Sequence, residues 1–202
     1  IEEAISEYKI AIEHKPDYYQ AHNNLGSAFK NKGNTSDAIY HYKTAIKLKP
    51  DYAEAHFNLG GILNDNQKTE EAIPHYRKAI KLKPDYAEAH FNLGNVLLKE
   101  QKTEDAISHY KRAIEITPDY VEAYINLGNA LLRDKKTEEA ISHYQMAIKL
   151  KNDSFLAHNN LGTALLKDQK TKEAISHYET AIKLNPDYAE AHNNLNAAMN
   201  LL

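Results

Sequence analysis

Apolar and polar positions alternate along this chain with the period of a helix. In residues 1–14, Ala4, Ile5, Tyr8, Ala11 and Ile12 fall three or four apart on one face, and Lys15-Pro16 closes the segment. Similar apolar stripes then return in pairs. A Leu-Gly dipeptide recurs at Leu25-Gly26, Leu59-Gly60, Leu93-Gly94, Leu127-Gly128 and Leu161-Gly162, a constant step of 34 residues. A fixed period of this size marks a repeat array, in which each unit is one helical hairpin stabilised mainly by its neighbours.

Positions are numbered here as slots, counted from the residue seven before each glycine. On that scale a half-repeat, 1–18, precedes five full repeats, 19–52, 53–86, 87–120, 121–154 and 155–188, and a terminal helix, 189–202. The pattern predicts an all-α solenoid of antiparallel helix pairs, one continuous array over 1–202 with no second domain. Asp51, Asp85, Asp119 and Asp187 stand three residues before Glu54, Glu88, Glu122 and Glu190, and Asp17 stands three before Gln20, the spacing of a capping box at the first helix. The second helix opens at Thr35, Thr69, Thr103, Thr137 and Thr171, mostly followed by acidic residues that suit a helix N-terminus. Prolines at 16, 50, 84, 118 and 186 end it.

Glycine inside a helix costs about 1 kcal/mol relative to alanine. Its return in slot 8 of every full repeat therefore predicts packing too tight for a larger side chain. Alanines in slot 20 (Ala38, Ala72, Ala106, Ala140, Ala174) and tyrosines in slot 24 (Tyr8, Tyr42, Tyr76, Tyr110, Tyr144, Tyr178) supply the other side of that seam. Two departures carry local expectations. Pro74 sits inside a second helix and predicts a mild kink, and 152–156 (NDSFL) lacks the proline, the tyrosine and the capping glutamate, which predicts the loosest joint.

An aromatic, Leu-Gly, a large residue, Ala, a further aromatic four later and Pro together resemble the tetratricopeptide repeat over the whole chain. The repeats are similar to the superhelical arm of O-linked N-acetylglucosamine transferases and to bacterial scaffolds of the same kind. That resemblance implies a right-handed superhelix with first helices on its concave side. Serines such as Ser108 and Ser142 neighbour histidines, but adjacent residues of a helix point apart and every repeat holds the same arrangement, so no catalytic constellation is expected. The leading tryptophan of the family is replaced by His22, His56, His90, Tyr124, His158 and His192. Some members clamp an acidic C-terminus with basic residues in slots 2, 5, 6 and 9; none of those slots is basic in this chain, which argues against that ligand.

Composition narrows the partners. With 28 acidic and 25 basic residues there is no electrostatic footprint for nucleic acid, and there is no cysteine for disulfide or thiolate chemistry. No apolar run approaches the roughly 20 residues of a membrane span and no secretion signal is visible, which together with the missing cysteine favours the cytoplasm. The chain starts at Ile1 and so reads as a processed product or a piece of something longer. No cofactor motif is present: glycines 34 apart build no phosphate-cradling loop.

One column is not explained by helix formation, which leaves a ligand, or bonds to neighbouring repeats or to water, as its reason. Slot 6 is asparagine six times, Asn24, Asn58, Asn92, Asn126, Asn160 and Asn194, although asparagine is a poor helix former. In the family these positions face the groove. A carboxamide carries both a donor and an acceptor, the pair that holds a peptide main chain whatever its side chains. Asn95 and Asn129 in slot 9 add amides, and Phe57, Phe91 and Ile125 in slot 5 add an apolar middle. Ten of the eleven histidines fall in two columns, slots 4 and 23; members of one column are a repeat apart, too far to share a metal ion. They read as aromatic packing residues, and spacing alone does not decide whether the two columns meet. The resulting expectation is a non-catalytic scaffold that holds an extended peptide or protein segment along an asparagine ladder. Two alternatives stand beside it: the substrate-recruiting arm of a larger enzyme such as a glycosyltransferase, and a scaffold that self-associates end to end.

Overall fold

The computed structural model describes residues 1–201. Among them are twelve helices and no strands: α1 Glu2–His14, α2 Tyr19–Asn31, α3 Thr35–Leu48, α4 Ala53–Asp65, α5 Thr69–Leu82, α6 Ala87–Lys99, α7 Thr103–Ile116, α8 Val121–Arg133, α9 Thr137–Leu150, α10 Phe155–Lys167, α11 Thr171–Leu184 and α12 Ala189–Met199. Each falls where the 34-residue pattern puts it. The chain forms two compact units, Ile1–Val96 and Leu97–Leu202. Within them, α2, α4, α8 and α10 are each the first helix of a repeat and pack on the second helix that follows.

The seam is as tight as the glycines demand. A Cβ placed on Gly26, Gly60, Gly128 or Gly162 would meet the ring of Tyr42, Tyr76, Tyr144 or Tyr178 at 2.8, 3.1, 2.6 and 2.7 Å. Contacts under 3.0 Å force something to move, so the tyrosine ring occupies the volume that a side chain would take. Those four tyrosines are at most 1% exposed, and the slot-20 alanines are fully buried beside them.

First helices approach one another; second helices do not. In the first unit α2 touches α4, and in the second α8 touches α10 and α10 touches α12, whereas α3 and α5, and α9 and α11, are out of reach of each other among the described residues. Each unit therefore bends with its first helices on the inner side, the side on which the slot-6 asparagines lie.

The helix starts correct the capping expectation by one residue. The first helices begin after Tyr18, Tyr52, Tyr120 and Tyr188 as N-caps, with no side-chain cap bond. Asp17, Asp51, Asp119 and Asp187 thus lie one residue outside, and a capping oxygen has to come from the N-cap itself. At the second helices the threonines are the first helical residues, and the cap is a lysine except at Asn34, whose Oδ1 accepts the Asp37 N–H at 3.2 Å. The segment 152–156 is better anchored than its sequence suggests. Ser154, 9% exposed, caps α10 by accepting the Ala157 N–H at 3.3 Å, and the Phe155 ring packs edge-on against Tyr188 at 5.0 Å. Of its two apolar residues, Phe155 is half-buried and Leu156 is exposed, at 43%. α5 runs through Pro74 with the same 14-residue span as the other second helices.

One recurrent feature has no sequence forewarning. The turn after the first helix takes the left-handed conformation at slot 15, with φ of 81° at Gly33 but 61–62° at Gln67, Gln101, Lys135 and Gln169. Its bonds are those of a Schellman motif: Lys68 N–H reaches Leu63 O at 2.9 Å, and Gln67 N–H reaches Asn64 O at 3.0 Å.

Candidate functional site

The slot-6 side chains lie on the inner face, and three of them, Asn58, Asn160 and Asn194, are tied to the repeat before them. Asn58 Nδ2 donates to Asn23 Oδ1, Asn160 Nδ2 to Asn129 Oδ1, and Asn194 Nδ2 to Asn159 Oδ1, each at 3.0 Å. The acceptor is the slot-5 residue where that is asparagine, as at Asn23 and Asn159. Where slot 5 is apolar, as at Ile125, the acceptor is the slot-9 asparagine instead. Within a repeat, Asn23 and Asn159 also donate to Asn24 and Asn160 at 3.4 and 3.2 Å. The column is thus a chain of amide-to-amide bonds between repeats before it is anything else. That bonding fixes the flip of each carboxamide. Asn160, for instance, keeps one N–H and one carbonyl lone pair beyond its two scaffold bonds.

The other expected groove residues separate. Asn24 is exposed; Asn58, Asn92, Asn126, Asn160, Asn194, Asn95 and Asn129 are half-buried. Phe57 and Phe91 are half-buried too, Phe57 resting against Tyr86 at 4.8 Å between ring centres, whereas Ile125 is only 8% exposed and belongs to the core. Arg133 donates to the Leu98 carbonyl at 3.2 Å, and Lys30 pairs with Asp65 at 2.9 Å, both on this face.

Slot 9 has a role that its sequence does not announce. Its side chain meets the hydroxyl of the slot-24 tyrosine fifteen residues later: Ser27 with Tyr42 at 3.1 Å, Asn129 with Tyr144 at 2.6 Å and Thr163 with Tyr178 at 3.3 Å. Asn129 Oδ1 therefore accepts two hydrogen bonds at once, from the Tyr144 hydroxyl and from Asn160. In repeat 53–86 slot 9 is Gly61, which has no side chain to offer. A polar column broken once by glycine was the signal available in the sequence.

The two histidine columns do meet. His22, His56 and His158 face His41, His75 and His177 through Nδ1–Nδ1 contacts of 3.0–3.1 Å. The Nε2 of each slot-4 ring lies 3.2 Å from the carbonyl of Pro16, Pro50 or Asn152. A carbonyl only accepts, so that nitrogen carries the proton; the slot-4 Nδ1 is then the acceptor and the slot-23 Nδ1–H the donor. Asn152 serves as well as proline because the bond uses the main chain. Burial holds His56 and His75 below the ordinary histidine range, and a second positive charge from His56 or Lys43 would push His75 further down. No group of three or more metal-ligating side chains comes together among the described residues. The Ser142 hydroxyl, next in sequence to His143, donates to the Glu138 carbonyl of its own helix at 3.2 Å.

Profiles of the TPR repeat match residues 1–33, 26–66, 60–101, 94–135 and 134–169, and a further tetratricopeptide repeat profile matches 155–188. The chain belongs to the tetratricopeptide repeat family. Solved structures with the same fold include YrrB, described as a TPR protein with an unusual peptide-binding site. It is 22% identical with a TM-score of 0.80, over 92% of this chain and 96% of that one. MamA is 26% identical with a TM-score of 0.76, covering 85% of this TPR chain and 94% of its own. A Pseudomonas aeruginosa protein, pilF, is 21% identical with a TM-score of 0.73, over 89% of this chain and 88% of that one. No curated protein matches the TPR chain by sequence. No helix among its described residues is long and apolar enough to cross a membrane.

Proposed function

We infer that this TPR array is a protein-interaction scaffold that holds an extended peptide segment along the inner face of its first helices. The observation that carries this reading is the asparagine column, whose amides are fixed by identical 3.0 Å bonds in three places and keep hydrogen-bonding capacity beyond them. Fixed amides lose little freedom when a ligand binds, so their bonds to it are not offset by ordering. Packed helices lie about 8–10 Å apart and an extended chain rises about 3.3 Å per residue, so successive asparagines meet about every third peptide unit. The half-buried Phe57 and Phe91 supply apolar contact between those points.

Selection of dodecamers from a random phage-displayed library on the full chain tests this. The peptides recovered should bind the variant Asn126→Ala/Asn160→Ala at least tenfold more weakly, with its thermal unfolding still cooperative. Undiminished affinity in that double variant would remove the ladder from the recognition. End-to-end self-association in the repeat register fits less well. It would set the Asn196 side chain against Tyr8, in the seam where a Cβ on the equivalent glycines meets a tyrosine ring at 2.6–3.1 Å.

A further inference from the structure

Repeat 53–86 is where the ladder opens. Each slot-6 amide with a bond to the previous repeat finds its acceptor in slot 5 or slot 9 of that repeat. The amide that follows repeat 53–86 is Asn92, and the two positions before it hold Phe57 and Gly61, neither of which carries an acceptor. The same glycine leaves the Tyr76 hydroxyl without the slot-9 partner that Tyr42, Tyr144 and Tyr178 have. Around Gly61 there is room: the nearest atoms to a Cβ placed there are Lys30 Nζ and Tyr76 Oη, both at 3.8 Å.

Repeat 121–154 shows what these groups are arranged to hold. There a single carbonyl oxygen, Asn129 Oδ1, accepts from the slot-24 tyrosine at 2.6 Å and from the next slot-6 asparagine at 3.0 Å. We propose that in repeat 53–86 this oxygen comes from the ligand: a main-chain carbonyl of the bound peptide lies over Gly61 and accepts from the Tyr76 hydroxyl and the Asn92 carboxamide. A glycine is what admits a peptide backbone so close to a helix. Phe57, half-buried, borders the site with an apolar surface. Gly61 thereby marks the point at which the peptide is anchored. A main-chain carbonyl is favoured over a carboxylate because Lys30, the nearest cation, is already paired with Asp65 at 2.9 Å.

This assignment rests on the peptide-scaffold reading above, and its test separates the two. Gly61→Asn gives repeat 53–86 the slot-9 carboxamide of repeat 121–154 and fills the site with the protein's own oxygen. The dodecamers selected on the unaltered chain should bind Gly61→Asn about tenfold or more weakly, although that variant is no less stable to heat. Tyr76→Phe should weaken the same peptides several-fold without loss of stability. If Asn126→Ala/Asn160→Ala weakens binding but Gly61→Asn and Tyr76→Phe do not, the scaffold reading stands and the anchor is overturned. A strict requirement for Asn or Gln at one peptide position would also overturn it, since the oxygen would then be a side chain's. If the unaltered chain selects no peptide at all, the scaffold reading fails and the anchor fails with it.

Discussion

Repeats 53–86 and 121–154 follow one plan and differ in how much of their polar chemistry they use up. In 121–154 the slot-9 asparagine closes a circuit, joining its own tyrosine hydroxyl to the next repeat's amide. In 53–86 a glycine removes that link, and the hydroxyl and the following asparagine lose their common acceptor. The seam differs as well. The tyrosine ring comes within 2.6 Å of a Cβ on Gly128 but only 3.1 Å of one on Gly60. Both differences make the first repeat the more open of the two, and they teach that a repeat unit has two separable duties. Slots 8, 20 and 24 hold the hairpin together; slots 5, 6 and 9 decide whether its polar groups are joined to the scaffold or left open.

The sharpest way to break this contrast is to fill the seam. Gly128→Ala should lower stability by roughly 2–3 kcal/mol, because the overpacking strain exceeds the gain in helix propensity. Gly60→Ala should cost less than half as much, and chemical denaturation of the two variants measures the difference. The neighbouring glycine should respond with the opposite sign. Gly61→Ala meets nothing closer than 3.8 Å and should raise stability by about 1 kcal/mol, the propensity term alone. Adjacent glycines of opposite sign would be hard to explain by composition.

The hydroxyls give the next smaller test. Tyr144→Phe removes a 2.6 Å bond and should cost about 1 kcal/mol, whereas Tyr76→Phe, with no slot-9 partner to lose, should be close to neutral. Equal costs in the two variants would mean that Tyr76 has found another partner, and the anchor at Gly61 would lose its donor. The smallest effect concerns protons. His56 and His75 are held below their unfolded values, so the folded state binds fewer protons than the unfolded chain in mildly acid solution. Stability is complete above the unfolded value of about 6.5 and falls as pH drops from there towards the folded values. His56→Tyr copies Tyr124 of repeat 121–154, and thermal melts between neutral and mildly acid buffer should show a flatter acid limb for it.

Helix number, helix order and the glycine–tyrosine seam were legible in the sequence because each depends on spacing that repeats five times. The capping aspartates misled by one residue: Asp51 and Glu54 have capping-box spacing, but Tyr52 occupies the cap, and spacing alone does not say which residue leaves the helix last. The asparagine column was legible as a column and not as a set of bonds. Its acceptors alternate between slot 5 and slot 9, and the choice depends on whether slot 5 is polar, as at Asn23, or apolar, as at Ile125. The meeting of His56 with His75 spans 19 residues across a hairpin, a distance that periodicity within one helix does not encode.

The left-handed turn at slot 15 has a consequence for evolution and engineering alike. Side chains bearing a Cβ disfavour that conformation, by roughly 1 kcal/mol each, and three glutamines and a lysine accept it at Gln67, Gln101, Gln169 and Lys135. Gly33 alone avoids the penalty. The array thus contains four places where a single change to glycine should toughen a hairpin, and where drift between glycine and a polar residue can set the durability of each repeat on its own.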